Sequence, residues 1–214
     1  MAETSDRRPI AARNLGIVQR LAGWLVARGA SANAISLAGM VAGLGAGLAL
    51  ALSFDWPEGR RALWLLAAFL IQFRLLANLL DGMVAIGLGT ASPTGELFNE
   101  VPDRVSDTAV FVGLGLAAGE LILGLAAALA AMSTAYVRAV GKAAGAPSDF
   151  RGPMAKQHRM ALVTAVALWG GLAPPGWLAE LPSVVLWSIV VLSLVTACRR
   201  LAGIWNALRE SAKQ

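Results

Sequence analysis

Six apolar stretches divide this sequence of 214 residues, and they constrain its fold more than any other feature. They lie at about 35–53, 62–81, 99–117, 119–140, 160–176 and 183–198. A transmembrane helix needs about 20 mainly apolar residues, and most of these stretches approach that length. Charged residues make up only 14% of the chain, whereas about 25% is usual in soluble domains. We therefore expect an all-α integral membrane protein with six transmembrane helices, in a single domain that covers residues 1–214.

The N-terminal segment and the distribution of basic residues predict how the chain is oriented. Residues 12–28 place apolar side chains at helical spacing between Arg13, Arg20 and Arg28, a pattern typical of an amphipathic interfacial helix. Lys and Arg also cluster between the fourth and fifth stretches and after the sixth. Because cytoplasmic segments carry the excess of basic residues, we expect both termini of the six-helix bundle, about 35–198, to be cytoplasmic. Attraction to anionic membrane lipid explains the net charge of +5 without a nucleic-acid partner.

Polar side chains interrupt the second and third stretches at helical intervals. On the first of these helices, one narrow arc of about 60° carries Arg74, Asn78, Asp81 and Ala85. On the next, an arc of about 100° carries Glu96, Asn99, Glu100, Asp103 and Asp107. Two helices joined by a short loop pack antiparallel, so we expect these faces to meet. The alternative, that these residues are helix caps and solvated loop ends, does not explain why they recur every four residues.

The chemistry of these side chains restricts the ligand. Carboxylate and amide oxygens are hard donors, which suit Mg²⁺, Mn²⁺ or Ca²⁺. Cys198 is the only cysteine and His158 the only histidine. These two counts exclude an intramolecular disulfide, a cysteine-based metal cluster and a histidine-based zinc site.

The residues from Asn78 to Asp103 resemble the motif of the CDP-alcohol phosphotransferase family, Asp-x2-Asp-Gly-x2-Ala-Arg-x8-Gly-x3-Asp-x3-Asp. Five positions are identical in register: Asp81, Gly82, Ala85, Gly95 and Asp103. Three differ, because Asn78 and Asn99 stand in place of aspartates and Ile86 in place of arginine. The segments 31–36 and 135–139 also resemble the start of the first and the end of the fourth helix of that family.

The resemblance implies an enzyme that moves a phosphatidyl group from CDP-diacylglycerol to a small alcohol, with or without a phosphate of its own, and releases CMP. It implies a site for Mg²⁺ or Mn²⁺, with Ca²⁺ as a further candidate. The implied metal ligands are Asn78, Asp81, Asn99 and Asp103, and Glu100 is a further candidate because it shares their helix face. Asp103 would be the catalytic base, with Asp107 as the next candidate. The resemblance also implies a homodimer.

The remaining candidate residues form two sets, one in and near the motif and one of basic residues at the expected cytoplasmic ends of the third, fourth and fifth helices. Contacts to the CDP moiety would come from Asn33, Arg74, Gly82, Ala85 and Gly95. The acceptor would be bound by Arg104, Arg138, Lys156 and Arg159. Gly82 and Ala85 suit close helix packing as well as contact with a nucleotide. The basic residues have an alternative role too, because Lys and Arg at helix ends snorkel to the membrane surface.

The departures from the motif leave three functions open. Asn78 and Asn99 supply oxygen without charge, so a site for two cations should be weaker unless Glu96, Glu100 or Asp107 compensates. Arg74 could take over the role of the missing arginine against the diphosphate, or pair with Asp81 or Glu100 instead. The alternatives to a phosphatidyltransferase are a non-catalytic membrane subunit that binds CDP-lipid, and an enzyme that transfers from a soluble CDP-alcohol to a lipid.

Overall fold

The computed structural model of this protein describes residues 14–90, 93–174 and 180–211, apart from the side chains at positions 93, 94, 96 and 99. The described residues form seven α-helices: α1 (Gly16–Ala27), α2 (Ala32–Asp55), α3 (Arg60–Gly87), α4 (Pro93–Ala117), α5 (Leu121–Ala143), α6 (Lys156–Leu172) and α7 (Leu181–Ser211). A short first helix followed by six longer ones agrees with the all-α architecture that the sequence predicts.

Several helices end at other positions than the apolar stretches indicate. α3 continues past the expected end at 81 to Gly87, α4 begins at Pro93 instead of 99, and α7 continues past 198 to Ser211. α6 begins and ends earlier than the expected span 160–176. Hydropathy marks only the most apolar part of a helix, and the extension of α7 contains the buried Arg200. The extension of α3 is itself apolar and continues the helix beyond Asp81. α1 lies within the expected segment 12–28, of which residues 12 and 13 are outside the described part.

Four of the described helices are long and apolar enough to cross a membrane: α2, α3, α5 and α7. This supports a helical integral membrane protein. α6 has 17 residues, fewer than the about 20 that a spanning helix needs. α4 has 25 residues but carries Glu100, Asp103, Arg104 and Asp107 within about two turns. The described helices thus support four of the six expected transmembrane helices.

Small residues bring the backbones of α2 and α4 into contact. A Cβ atom added at Gly47 would lie 2.3 Å from the carbonyl oxygen of Ala109, and one added at Gly113 would lie 2.1 Å from that of Gly47. Such close approach is how helices gain packing energy in lipid, where the surrounding acyl chains are as apolar as the side chains. α2 also packs along α3, so it holds α3 and α4 side by side.

Two apolar clusters complete the packing. The larger one joins the bundle helices through the fully buried Leu50, Ile71, Phe111, Met160 and Ile189. The smaller one joins α1 to α3, where Val18 and Ala22 contact the region of Leu79 and Leu80. These two leucines follow Asn78 and precede Asp81, so α1 packs at the same level along α3 as the polar residues, but on a different face of the helix.

We expect Gly113→Ala to destabilise the protein by about 1–3 kcal/mol, the usual cost of overpacking a filled core. The new methyl group meets backbone, so α2 and α4 must separate. The fraction of protein that stays monodisperse in size-exclusion chromatography after heating in detergent measures this. Gly23→Ala is the matched control, because a Cβ there meets nothing within 4 Å. Equal heat resistance of the two variants would contradict the close contact.

Candidate functional site

The polar faces of α3 and α4 meet, as the spacing predicts. Asn78 donates a hydrogen bond from Nδ2 to Oδ1 of Asp103. Arg74, one turn earlier on α3, donates from Nη2 to Oδ1 of Asp107 at 2.6 Å and to Oδ1 of Asp103 at 3.3 Å. Because α3 and α4 are antiparallel, Arg74 pairs with Asp107, and Asn78, one turn later on α3, pairs with Asp103, one turn earlier on α4.

Arg74 is completely buried, with a relative exposure of 0%. Its partners are Asp103 and Asp107, so the alternative expectation of a pair with Asp81 or Glu100 is wrong. The cause is packing: Gly43 on α2 leaves room for the arginine chain, since a Cβ there would lie 3.0 Å from its Cδ. Nε and Nη1 of Arg74 have no hydrogen-bond partner among the described residues. Contact with a diphosphate stays a prediction for this residue.

Asp81 faces α2 as well as α4. Ser36 donates from Oγ to Oδ2 of Asp81 at 2.6 Å, and the backbone N–H of Gly82 donates to Oδ1. Asn33, which the resemblance assigns to nucleotide binding, is exposed one turn before Ser36. Sequence reasoning missed Ser36, because a single hydroxyl in a helix rich in Ala and Gly is a weak signal.

Asp103 has basic residues on the side opposite Asn78. Lys156, the first residue of α6, places Nζ 2.5 Å from Oδ2 of Asp103. Arg104 places Nη2 3.6 Å from the same oxygen. Both oxygens of Asp103 are therefore occupied by donors of the chain itself, and the carboxylate lies where helices α3, α4 and α6 meet.

Glu100 extends this network toward α5. Its Oε1 lies 2.5 Å from Nη2 of Arg138, and its Oε2 lies 3.5 Å from Nη2 of Arg104. The guanidinium of Arg138 also stacks over the ring of Phe150, 5.4 Å from its centroid. The expected metal ligand Glu100 thus binds two of the expected acceptor-binding arginines.

Arg159 lies deeper than a residue that contacts an acceptor from the solvent side would. It is 2% exposed, donates from Nη1 to the carbonyl oxygen of Met154 at 2.8 Å, and lies 3.6 Å from Oδ2 of Asp107. The structure thereby places it with Arg74, on the buried side of Asp107. Its assignment to the acceptor stays a prediction that the burial disfavours.

Sequence reasoning also missed Arg200, on α7. This buried residue donates from Nη1 to the carbonyl oxygen of Thr134 at 2.8 Å and from Nε to that of Arg151 at 2.9 Å. It thereby fixes the connection between α5 and α6 against both α5 and α7. The only signal in the sequence was a basic residue at a helix end, which positive-inside orientation already explained.

The same connection contains an ion pair that fixes its shape. Arg151 donates to Asp149 from Nη2 at 2.8 Å and from its backbone N–H at 2.9 Å. Burial alone would raise the pKa of Asp149, but the hydrogen bonds from Arg151 outweigh it and hold the pKa below its usual 3.8. Because the connection leads directly into Lys156, this pair helps to position the ammonium group on Asp103.

The small residues of the motif differ in their surroundings. A Cβ added at Gly82 would meet nothing within 4 Å, so close helix contact does not explain this glycine. Ala85, one turn later, is half-buried, and Gly95 at the start of α4 is also partly covered. The space beside Gly82 is next to Asp81, and its role in nucleotide binding stays a prediction.

The donor set fits a hard cation only in part. Asp81, Asp103 and the amide of Asn78 bring oxygen donors to neighbouring turns of α3 and α4. Among the described side chains, however, no three His, Cys, Asp or Glu residues converge as a ready metal site. The side chains of Asn99 and Glu96 lie outside the described residues. A cation that binds Asp103 would require Lys156 to release an oxygen of this carboxylate.

Comparisons with known proteins identify relatives of this chain in sequence and in fold. No family model matches the chain. A phosphatidylinositol phosphate synthase of Streptomyces avermitilis is 30% identical over 207 residues, which cover 92% of this chain and 80% of that protein. The fold is similar to crystal structures of a phosphatidylinositol phosphate synthase of Mycobacterium tuberculosis, at 25% identity. The match to the structure with CDP-DAG bound has a TM-score of 0.74 and covers 94% of that chain and 88% of this one. The one with manganese and citrate has a TM-score of 0.73, with 88% of each chain covered.

We expect Arg74→Met to destabilise the protein by about 3–5 kcal/mol, because it leaves the carboxylate of Asp107 buried without its main partner. The double variant Arg74→Met/Asp107→Leu should recover part of this loss, since neither charge remains. Heat resistance in detergent, measured as above for both variants and for Asp107→Leu alone, completes a double-mutant cycle. Additive losses would show that the two side chains do not depend on each other.

Proposed function

Because this chain belongs to the CDP-alcohol phosphotransferase family, we propose that it transfers a phosphatidyl group from CDP-diacylglycerol to a small alcohol and releases CMP. The observation that carries this proposal is the position of Asp103. This carboxylate lies between the α3 residues of the nucleotide motif on one side and the basic residues Lys156 and Arg104 on the other. A base placed between a nucleotide site and a basic acceptor site is what a transfer between the two substrates requires.

Different residues of the site bind the donor and the acceptor in this proposed reaction. The open space at Gly82, with Ala85 one turn away, admits the nucleotide beside Asp81. Lys156, Arg104 and Arg138 present positive charge to an acceptor, which favours an alcohol that carries a phosphate. A divalent cation, Mg²⁺ or Mn²⁺, neutralises the diphosphate of the donor when it is bound.

The reaction then needs one proton transfer. The acceptor oxygen forms a bond to the phosphorus of the phosphatidyl group, the bond from that phosphorus to the oxygen of CMP breaks, and CMP leaves. The proton of the acceptor hydroxyl goes to Asp103. For that step Asp103 must release Oδ2 from Lys156, and a phosphate of the acceptor is a suitable new partner for the ammonium group.

The membrane arrangement belongs to the same proposal. α4 packs along α2 and α6 packs along α3, and α2 and α3 are both apolar enough to span. α4 and α6 therefore also cross, with their charged residues turned inward to each other. Six crossings put both termini on one side, and the basic residues favour the cytoplasm. α1 lies in the interface, where Ile17 and Trp24 are exposed to lipid, and the family resemblance favours a homodimer.

The rival function is a membrane subunit that binds CDP-lipid without catalysis. Asn78 and Asn99 favour it, because they remove two charges that the family motif carries. Transfer from a soluble CDP-alcohol to a lipid acceptor is the second rival. The experiment that separates all three is CMP release by the purified protein, with CDP-diacylglycerol and a panel of alcohols compared against soluble CDP-alcohols.

We expect Asp103→Asn to lower CMP release by about 10²–10⁴-fold, the usual contribution of a general base. Binding of CDP-diacylglycerol should survive, because asparagine keeps the shape of the side chain. Asp55→Asn is the matched control and should retain wild-type turnover. Asp55 is the last residue of α2, whereas Ser36, which contacts Asp81, lies near its start. Turnover of Asp103→Asn at the wild-type rate would move the base elsewhere, with Asp107 as the next candidate.

The two asparagines provide a test of the proposed function against its first rival. We expect wild-type protein to release CMP, and Asn78→Asp/Asn99→Asp to change only its preference between Mg²⁺ and Mn²⁺ or its affinity for them. The reason is that basic side chains of this protein already neutralise the carboxylates of the site. Parallel titrations of both proteins with each cation measure this. A silent wild type with an active double variant would replace the enzyme by the binding subunit.

A further inference from the structure

A buried threonine of α7 binds the backbone of the chain shortly before α6 begins. Thr196 is fully buried, and its Oγ1 accepts a hydrogen bond from the backbone N–H of Met154 at 3.0 Å. The same Oγ1 donates to the carbonyl oxygen of Leu192 at 2.7 Å. Since a hydroxyl has a single proton to donate, this second bond fixes its rotation and leaves a lone pair directed at Met154. α7 is thereby tied to the connection between α5 and α6.

The backbone around Met154 is held from more than one side. Its carbonyl oxygen accepts from Nη1 of Arg159 on α6 at 2.8 Å, so both polar groups of this residue have partners. Gly152 packs against Thr196 as well, because a Cβ added there would lie 2.4 Å from Cγ2 of the threonine. This glycine also has a φ of +120°, which side chains other than hydrogen disfavour. The connection therefore follows one defined path over α7.

That path leads directly to Lys156, the first residue of α6. Ala155 occupies the N-cap position and supplies no side-chain hydrogen bond to the first turn. Because the first N–H groups of a helix have no partner within it, the hydrogen bond of Thr196 to the preceding backbone adds stability where a capping side chain is missing. Nζ of Lys156 lies 2.5 Å from Oδ2 of Asp103. A displacement of this backbone would carry the ammonium group away from Asp103.

We propose that Thr196 is a positioning residue for the reaction, which places the ammonium group of Lys156 beside Asp103 through the backbone of Met154. This rests on the proposed function, in which Lys156 meets the acceptor and Asp103 takes its proton. A positioned group tolerates little displacement, since a shift of about 1 Å can cost about 10²-fold in rate. A residue that only packed α7 against its neighbours would contribute to stability and leave the acceptor unaffected.

A double-mutant cycle on CMP release separates these two roles, with glycerol phosphate or inositol phosphate as acceptor, whichever reacts faster. Thr196→Val keeps the shape of the side chain and loses the hydroxyl. We expect it to lower kcat/KM for the acceptor by about 10–10²-fold and to leave the KM for CDP-diacylglycerol unchanged. Thr196→Ser keeps the hydroxyl and should retain most of the wild-type value. In a Lys156→Met background, Thr196→Val should have no further effect, because the group through which it acts is gone.

Hydrogen exchange followed by mass spectrometry tests the same contact without turnover. In wild-type protein the amides of residues 154–159 should exchange slowly, and in Thr196→Val about tenfold faster, the scale of one lost hydrogen bond. Thr196→Ser should behave as the wild type. Ser193→Ala is the matched control and should change neither measurement. Ser193 is buried one turn earlier on α7, and its hydroxyl has no hydrogen-bond partner among the described residues.

Each outcome has a defined meaning. Unchanged exchange in Thr196→Val, or the same fold-loss of kcat/KM with and without Lys156, would overturn the proposal. So would a variant that loses heat resistance but keeps the wild-type kcat/KM for the acceptor. Thr196→Ala covers the case in which Thr196→Val does not fold. Wild-type protein that releases no CMP, with faster exchange in Thr196→Val, would reject the proposed function and leave the contact between α7 and the start of α6 established.

Discussion

The buried guanidinium of Arg74 is the interaction on which the rest of the site depends. A charged group without exposed surface is costly unless it is paired, and here the partners lie on a different helix from the arginine. This pairing fixes the register between α3 and α4. With Arg74 on Asp107, Asn78 falls on Asp103, and Asp81 falls next to the hydroxyl of Ser36. The small residues of α2 permit this arrangement, because a side chain at Gly43 would meet both Arg74 and Ser106.

The polar network also explains why α4 and α6, which carry most of its charged residues, are not among the helices long and apolar enough to be selected as spans. Their charges neutralise one another inside the protein and leave the outward faces of the neighbouring helices apolar, with exposed Leu48, Phe69 and Leu129 suited to lipid. A charged residue at membrane depth is tolerated when it faces the bundle interior and has a partner. The composition of α4 is therefore consistent with a membrane protein, although hydropathy alone does not select this helix as a span.

Much of the fold could be predicted from the sequence, because long apolar stretches and four-residue spacing both report directly on helices. The meeting of Asn78 with Asp103 followed from that spacing. The partners of Arg74 did not, because the sequence shows which face a residue occupies but not how far the two helices are shifted along each other. Ser36 and Arg200 were missed for a related reason: each reaches its partner across a long sequence separation and resembles an ordinary helix residue locally.

The contact between α1 and α3 has a consequence for where the reaction takes place. Val18 and Ala22 pack on the same two leucines that separate Asn78 from Asp81. With α1 lying along the boundary between headgroups and acyl chains, as proposed, its position on α3 defines the height of the carboxylates above the hydrocarbon. Under the proposed function, carboxylates near that boundary would meet a donor whose tails stay among the lipids and an acceptor that stays in water. α1 would thus set the depth of the carboxylates in the membrane. A bilayer with a different headgroup spacing would shift these carboxylates relative to both substrates at once.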